Sequence, residues 1–366
     1  MLRAAPRLVL LLGLAGCGAA EVPRTPPVVG PAEGPLDTWV ELPWLGADPS
    51  LPFNGAKLHA SGDSAYLLVA DRFYRSDDHG AHWSQRGQEP FDDFAVQGPR
   101  LFGWTTNQSA PLYTSVDDGL TWRGRPIESY SGDHIQSTGA LASPALLRVL
   151  GPHALMTQPS DEARLLVTDD PTRGWTPTVF AGNARVRDVA MHGSDLYACT
   201  TGGLFRSTDG GRAWTPLPSP DGNPAPLEVC TFTRFTTLLC LTVWRSWAQR
   251  LYCSADAETW TKADEGLFEI PKNPDWERFM GLAHLEGTAQ LGSTYVLADR
   301  GDNSHTPVDE GVYTTRDPFA GWTRVEALRG QRILDVTQTT QAILVLSQTK
   351  TERNDSPVRL FRLRVR

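Results

Sequence analysis

From residue 38 onward the chain is built of short apolar runs alternating with turn residues, among them AYLLVA (65–70), HALMTQ (153–158), DLYACT (195–200), STYVLA (293–298) and AILVLS (342–347). Tyr, Val, Leu, Ile and Thr suit a pleated surface, and the Gly, Asp, Asn and Ser bounding each run suit hairpin turns, so the pattern predicts strands. Gly and Pro, 33 and 28 of 366 residues, punctuate the chain too closely for a helical bundle or a membrane-spanning transporter. The clearest unit reads VRDVAM (186–191), DLYACT (195–200), GLFRS (203–207) and AWTPLP (213–218), four strands in 33 residues. Units of that size recurring along a chain point to a repeat architecture of small antiparallel sheets.

The repeat is sharpest around a tryptophan. SDDHGAHW (76–83), SVDDGLTW (115–122) and STDGGRAW (207–214) share Ser-x-Asp-x-Gly-x-x-Trp. The motif residues are Ser76, Asp78, Gly80 and Trp83; Ser115, Asp117, Gly119 and Trp122; and Ser207, Asp209, Gly211 and Trp214. Looser copies lie at TDDPTRGW (168–175), SADAETW (254–260) and TRDPFAGW (315–322), while PLDTW (35–39) keeps only the Asp and the Trp. These motifs resemble the Asp-box, or BNR, repeat family of sialidases, other glycoside hydrolases, sortilin-like receptors and photosystem assembly factors. The resemblance implies that each box is the turn between the third and fourth strands of a propeller blade. Its Asp would accept hydrogen bonds within the turn, its Gly would adopt a conformation hostile to most side chains, and its Trp would pack between neighbouring sheets. The looser copies lack the Gly at that position, so their turns are expected to depart from the pattern.

Box tryptophans at 39, 83, 122, 175, 214, 260 and 322 predict seven blades. After Trp322, ILDVTQ (333–338), AILVLS (342–347) and VRLFRLRV (358–365) give three strands without a fourth, and TWVELP (38–43) is a fourth without its first three. The expected fold is therefore all-β: a seven-bladed beta-propeller of four-stranded antiparallel blades, closed by an N-terminal strand that completes the last blade and removes the open edges. A six-bladed ring would leave both fragments unexplained.

The first residues read differently. Arg3 and Arg7 precede LVLLLGL, and the segment ends in LAGC, which resembles the lipobox of bacterial lipoprotein signal peptides. The resemblance implies a signal peptide over 1–16, lipidation of Cys17 including palmitate, a Pro-rich tether over 17–37 and the propeller over 38–366. Gly18 stands where an inner-membrane retention signal would have Asp, so the expected location is the cell envelope, anchored by lipid in the outer membrane. Cys199, Cys230, Cys240 and Cys253 cluster within 55 residues of a chain with an export signal, which favours disulfides. Cys230 with Cys240 would leave Cys199 for Cys253; Cys199 with Cys230 and Cys240 with Cys253 is equally compatible with the strands.

A net charge of -8 with dispersed Lys and Arg argues against nucleic acid as a partner. The family resemblance places ligands at the end of the channel opposite the boxes, where TTNQSAP (105–111), QPSDEA (158–163), VWRSWAQR (243–250), DRGDNSHTPVDEG (299–311) and QTKTERNDSP (348–357) are expected as loops between second and third strands. Trp244, Arg245, Trp247 and Arg250 form the candidate binding group, suited to stacking on sugars or anchoring a protein, with packing between blades as the competing role. The acidic 299–311 segment lacks the ordered oxygen spacing of a helix-loop-helix calcium site, and no metal is assigned. Sialidases need three arginines converging on a carboxylated sugar; Arg148, Arg187 and Arg332 are dispersed here, and the Asp residues read mostly as turns. No nucleophile elbow, phosphate-binding loop, zinc motif or dinucleotide fingerprint is present, so no catalytic residue or cofactor is assigned. The expected function is a non-catalytic protein- or glycan-binding or assembly module of the envelope, with a sialidase-like glycoside hydrolase as the alternative.

Overall fold

The computed structural model describes residues 37–42, 56–69, 71–88, 91, 93–104, 112–125, 129–131, 134–136, 147–158, 161–170, 174–180, 184–223, 227, 229–245, 248–267, 285–299, 311–349 and 358–365. The signal peptide, Cys17 and all but the last residue of the tether expected from the sequence lie outside them.

Seven four-stranded antiparallel sheets form the ring. The first strands of the seven blades are, in order, Lys57–Ser61, Asp93–Gln97, Leu147–Leu150, Val186–His192, Val229–Arg234, Leu285–Leu291 and Gln331–Gln338. Each is followed outward by its second, third and fourth strands, and in blade 4 these are Asp195–Thr200, Gly203–Ser207 and Thr215–Leu217. Blade 7 is completed as the sequence predicts: Trp39–Leu42 pairs antiparallel with Val358–Arg364, and Arg359 forks onto Glu41 across that ladder. A short hairpin not foreseen from the sequence, Ser129–Ser131 with His134–Gln136, lies between blades 2 and 3. It accounts for part of the wide gap between Trp122 and Trp175.

The core is a ring of seven apolar clusters, one at each seam between blades, and each seam receives one box tryptophan. Trp83 packs at the seam of blades 7 and 1, Trp122 at 1 and 2, and Trp214 at 3 and 4. The three complete boxes share one hydrogen-bond pattern. In blade 4, Ser207 Oγ donates to Asp209 (2.8 Å), Asp209 accepts from the Ala213 N–H (2.9 Å), and Trp214 Nε1 donates to the Gly211 carbonyl (3.0 Å).

Gly119 shows why the motif demands glycine. Its φ is +79°, and a Cβ there would lie 2.4 Å from the Phe73 ring. The looser boxes solve the turn by other means. Asp256 keeps the carboxylate role, accepting from Thr259 N at 2.7 Å, with Ala257 in the left-handed region at φ +58°. Trp322 donates to the Ala263 carbonyl of blade 5 at 2.9 Å instead of to its own turn.

Two expected loops are strands. Asp161–Thr168 pairs antiparallel with His153–Gln158 from Gln158↔Asp161 onward, and Leu239–Arg245 with Ala248–Ser254 from Arg245↔Ala248 onward. QPSDEA and VWRSWAQR are thus the ends of long hairpins, because their polar residues continue the ladder pairing beyond the apolar run. The other three segments do fall between second and third strands, with 105–111, 300–310 and 350–357 outside the described residues.

The disulfides are Cys199–Cys230 and Cys240–Cys253. The first joins the second strand of blade 4 to the first strand of blade 5, and the second bridges directly paired residues within blade 5.

Candidate functional site

First-hairpin turns and boxes share one end of the ring: His79 N donates to the Asp63 carbonyl, and Thr340 N to the Gly62 carbonyl. The first strands therefore begin at the opposite end. There they line a central cavity of about 400 Å³.

Its charged lining comprises Lys57, His59, Asp93, Arg148, Asp188 and Asp335. Strand register organises them into two levels. Counted back from the first hairpin, or matched at the bulge that blades 4, 6 and 7 share, one level holds Lys57, Asp93, Asp188, Gly287 and Asp335. Two residues further along lie His59, Ala95, Arg148, Ala190 and Ala289.

Asp188 and Asp335 do the same structural work. Asp188 accepts the Val189 N–H (2.9 Å) with one oxygen and, with the other, the Phe232 N–H of the next blade (2.9 Å). Asp335 accepts Val336 N–H (2.8 Å) and, across the closing seam, Leu58 N–H of blade 1 (2.9 Å). Both are clips between inner strands: each satisfies a backbone donor of its own strand and one of the next blade's first strand, which lies at a sheet edge with no further ladder partner. Asp93 accepts its neighbour's N–H from Phe94 (2.8 Å), with Lys57 Nζ at 3.8 Å and His59 Nε2 at 3.9 Å. Burial pushes the Asp93 carboxyl up, but His59, Lys57 and the Phe94 N–H outweigh it and hold the group below the usual carboxylate range. For Asp335 burial wins, and its carboxyl is pushed up to about 6 despite the field of His59 and the Leu58 N–H.

The sequence reading took the Asp residues mostly as turns; Asp188 and Asp335 lie in runs it read as strands, but their role in clipping one blade to the next was not foreseen. A signal was present: Asp followed by Val or Phe within an otherwise apolar first strand, in FDDFAV, VRDVAM and ILDVTQ. Of the three dispersed arginines, Arg148 lies in the channel, with Nε 3.3 Å from Asp188, whereas Arg187 is exposed and neither it nor Arg332 lines the cavity. Trp244 and Arg245 end the second strand of blade 5, and Trp247 lies outside the described residues. Arg250, on the third strand, is 3.8 Å from the buried Asp264 and does not line the cavity. Among the described residues no group of three or more His, Cys, Asp or Glu is arranged to hold a metal ion.

The sequence matches no family model and no curated protein. Among solved structures the chain is similar to YCF48 from Cyanidioschyzon merolae, at 15% identity over 89% of this chain and 98% of that one, with a TM-score of 0.55. A structure of YCF48 bound to D1 peptide matches at 16% identity over 88% and 97%, with a TM-score of 0.53. An ancestral GH74 enzyme matches at 14% identity over 86% of this chain but only 47% of its own, with a TM-score of 0.50. At such identities the likeness is one of fold. This protein is a seven-bladed propeller with Asp-box-like turns.

Proposed function

We propose that the protein is a non-catalytic binding or assembly module that presents the channel end, opposite the boxes, to a protein partner. The observation that carries this reading is the state of the channel carboxylates. Asp188 and Asp335 each commit both oxygens to backbone N–H groups, and Asp93 is engaged by Phe94, Lys57 and His59. A glycosidase needs two carboxyl groups free to exchange protons or attack a sugar, and groups spent on holding blades together are poorly placed for it. In support, the YCF48 structures match this chain over nearly their whole length and one holds a peptide, while the GH74 match spans about half of that enzyme. The LAGC segment supports anchoring through Cys17 on a tether in the bacterial envelope, with the outer membrane as the expected site.

The test is affinity capture from detergent-solubilised envelopes with the full chain. Arg148→Glu at the channel is compared with Leu120→Asp, an exposed change on a box turn. The expected result is a specific protein captured by wild type and by the Leu120 variant and lost with the Arg148 variant. Capture indifferent to Arg148, or glycoside hydrolysis by the purified chain that Asp335→Asn abolishes, would overturn the reading.

A further inference from the structure

Asp188 and its backbone partner Phe232 are tied together a second time, by a disulfide. Cys199 is the direct cross-strand partner of Asp188 in blade 4, so the two side chains share the face turned to blade 5, and Cys230 lies two residues before Phe232. Both cysteines are buried, at 0% and 2% exposure, in the apolar seam between these blades. The equivalent clip at the closing seam, Asp335 to Leu58, has Leu346 in the place of Cys199 and no covalent bond beside it. The same pair of hydrogen bonds thus stands alone at one seam and is covalently backed at the other.

At the backed seam the clip has a competitor in Arg148 of blade 3. Its Nε lies 3.3 Å from Asp188 Oδ1, and its Nη1 donates to the Leu147 carbonyl at 3.2 Å. The Arg148 side chain is 37% exposed and lines the cavity, whereas that of Asp188 is 4% exposed. An arginine and a carboxylate make their strongest pair as a fork, with two parallel bonds between charged groups. Asp188 does not offer one, because Oδ1 accepts the Val189 N–H and Oδ2 the Phe232 N–H, each at 2.9 Å. If the first strand of blade 5 drew back, Oδ2 would be released. The carboxylate could then turn to Arg148, close the fork and take the guanidinium out of the channel. Cys230 holds that strand to blade 4 two residues from the Phe232 N–H, and so opposes the rearrangement where it would begin.

We propose that Cys199 and Cys230 are positioning residues of the binding face: their bond keeps Asp188 on Phe232, which denies Arg148 the fork and leaves its guanidinium in the channel for an oxygen acceptor of the partner. The inference rests on the reading of the channel end as a binding face and adds what builds it. The face is complete only in a chain whose Cys199–Cys230 bond has formed. Cys240–Cys253, which closes a hairpin within blade 5, has no such part in it.

The test compares the full chain with its Cys199→Ala/Cys230→Ala and Cys240→Ala/Cys253→Ala variants. Backbone amide exchange reads the clip, and the rate of phenylglyoxal addition at each arginine, followed by mass spectrometry, reads the guanidinium. Loss of Cys199–Cys230 should speed exchange at Phe232 by about tenfold without speeding it at Leu58. It should also slow addition at Arg148 by about threefold relative to the exposed Arg329. Loss of Cys240–Cys253 should do neither, which separates positioning from a general loss of stability. If the first Ala pair does not fold, Cys199→Val with Cys230→Ala, which refills part of the space left by the sulfurs, takes its place. Equal speeding at Phe232 and Leu58, unchanged or faster addition at Arg148, or the same changes in both variants would overturn the proposal. Capture of the partner from solubilised envelopes should be lost with the first bond and kept without the second, and capture that survives the loss of Cys199–Cys230 also overturns it. If wild type captures nothing through Arg148, the binding reading falls, and the exchange and addition rates still decide whether the bond positions Arg148.

Discussion

The two ends of the propeller use the same residue type in opposite ways. At the box end Asp209 accepts hydrogen bonds from residues up to four positions away, in a turn open to solvent. At the channel end Asp188 and Asp335 reach backbone donors 44 and 277 residues away, between blades. The disulfides divide similarly: Cys199–Cys230 ties two blades near Asp188, and Cys240–Cys253 closes one hairpin beside the box serine Ser254. Local bonds shape a turn that would form on its own blade, whereas the long-range ones have meaning only once the ring exists. Blade-to-blade stability should therefore concentrate at the channel end.

Removing each disulfide is the strongest way to break that contrast. Cross-linking entropy rises with loop length, and the loops here close 31 and 13 residues. Cys199→Ala with Cys230→Ala should cost about 4 kcal/mol, and Cys240→Ala with Cys253→Ala about 3 kcal/mol. Urea unfolding of both pairs checks the order. A larger loss from the short loop would show that the box end, not the seam, limits stability.

At the box end itself the sharpest probe is glycine. Gly119→Ala meets both a left-handed φ and the buried Phe73 ring, which touches Phe94 and Trp122 at the seam of blades 1 and 2. It should lose about 2 kcal/mol or more. Gly62→Ala, with a φ of +61° but nothing within 4 Å, should lose about 1 kcal/mol. Thermal unfolding of the two variants separates strain from crowding, and equal losses would mean that the Phe73 ring moves aside at no cost.

This same contrast explains what could be read from the residues alone. Boxes are contiguous motifs whose hydrogen bonds span two to four positions, so Ser76 to Trp83 announces its turn, and counting tryptophans counts blades. TWVELP was legible because an incomplete repeat at each end of the chain has only one closed solution. The channel was not legible, since whether Asp188 bonds to Phe232 or Asp335 to Leu58 depends on which strands the ring brings together, and an Asp in a turn-rich chain has an easier local explanation. VWRSWAQR misled for the converse reason: polar residues prolonged a hairpin whose pairing, Trp244 with Gln249 and Arg245 with Ala248, is set by register and not by hydrophobicity.

Protonation gives the gentlest test, because the two ends should titrate in opposite senses. At the boxes, the Thr121 hydroxyl and N–H hold Asp117 below its ordinary range, the Ala213 N–H does so for Asp209, and the Thr259 N–H for Asp256. A carboxyl lowered on folding contributes stability that is present above its unfolded value of 3.8 and lost as pH falls through the folded one. Asp335 runs the other way. Its folded value of about 6 exceeds the unfolded 3.8, so its contribution is greatest below 3.8 and is lost as pH rises through 6. Between pH 7 and pH 5 the boxes stay ionised while Asp335 takes up a proton, and stability should rise by about 1 kcal/mol from that group. Below pH 4 the boxes protonate and stability should fall. Asp335→Asn should remove the rise and keep the fall, as measured by urea midpoints across that range. If the variant retains the rise, the group that titrates is not the closing clip.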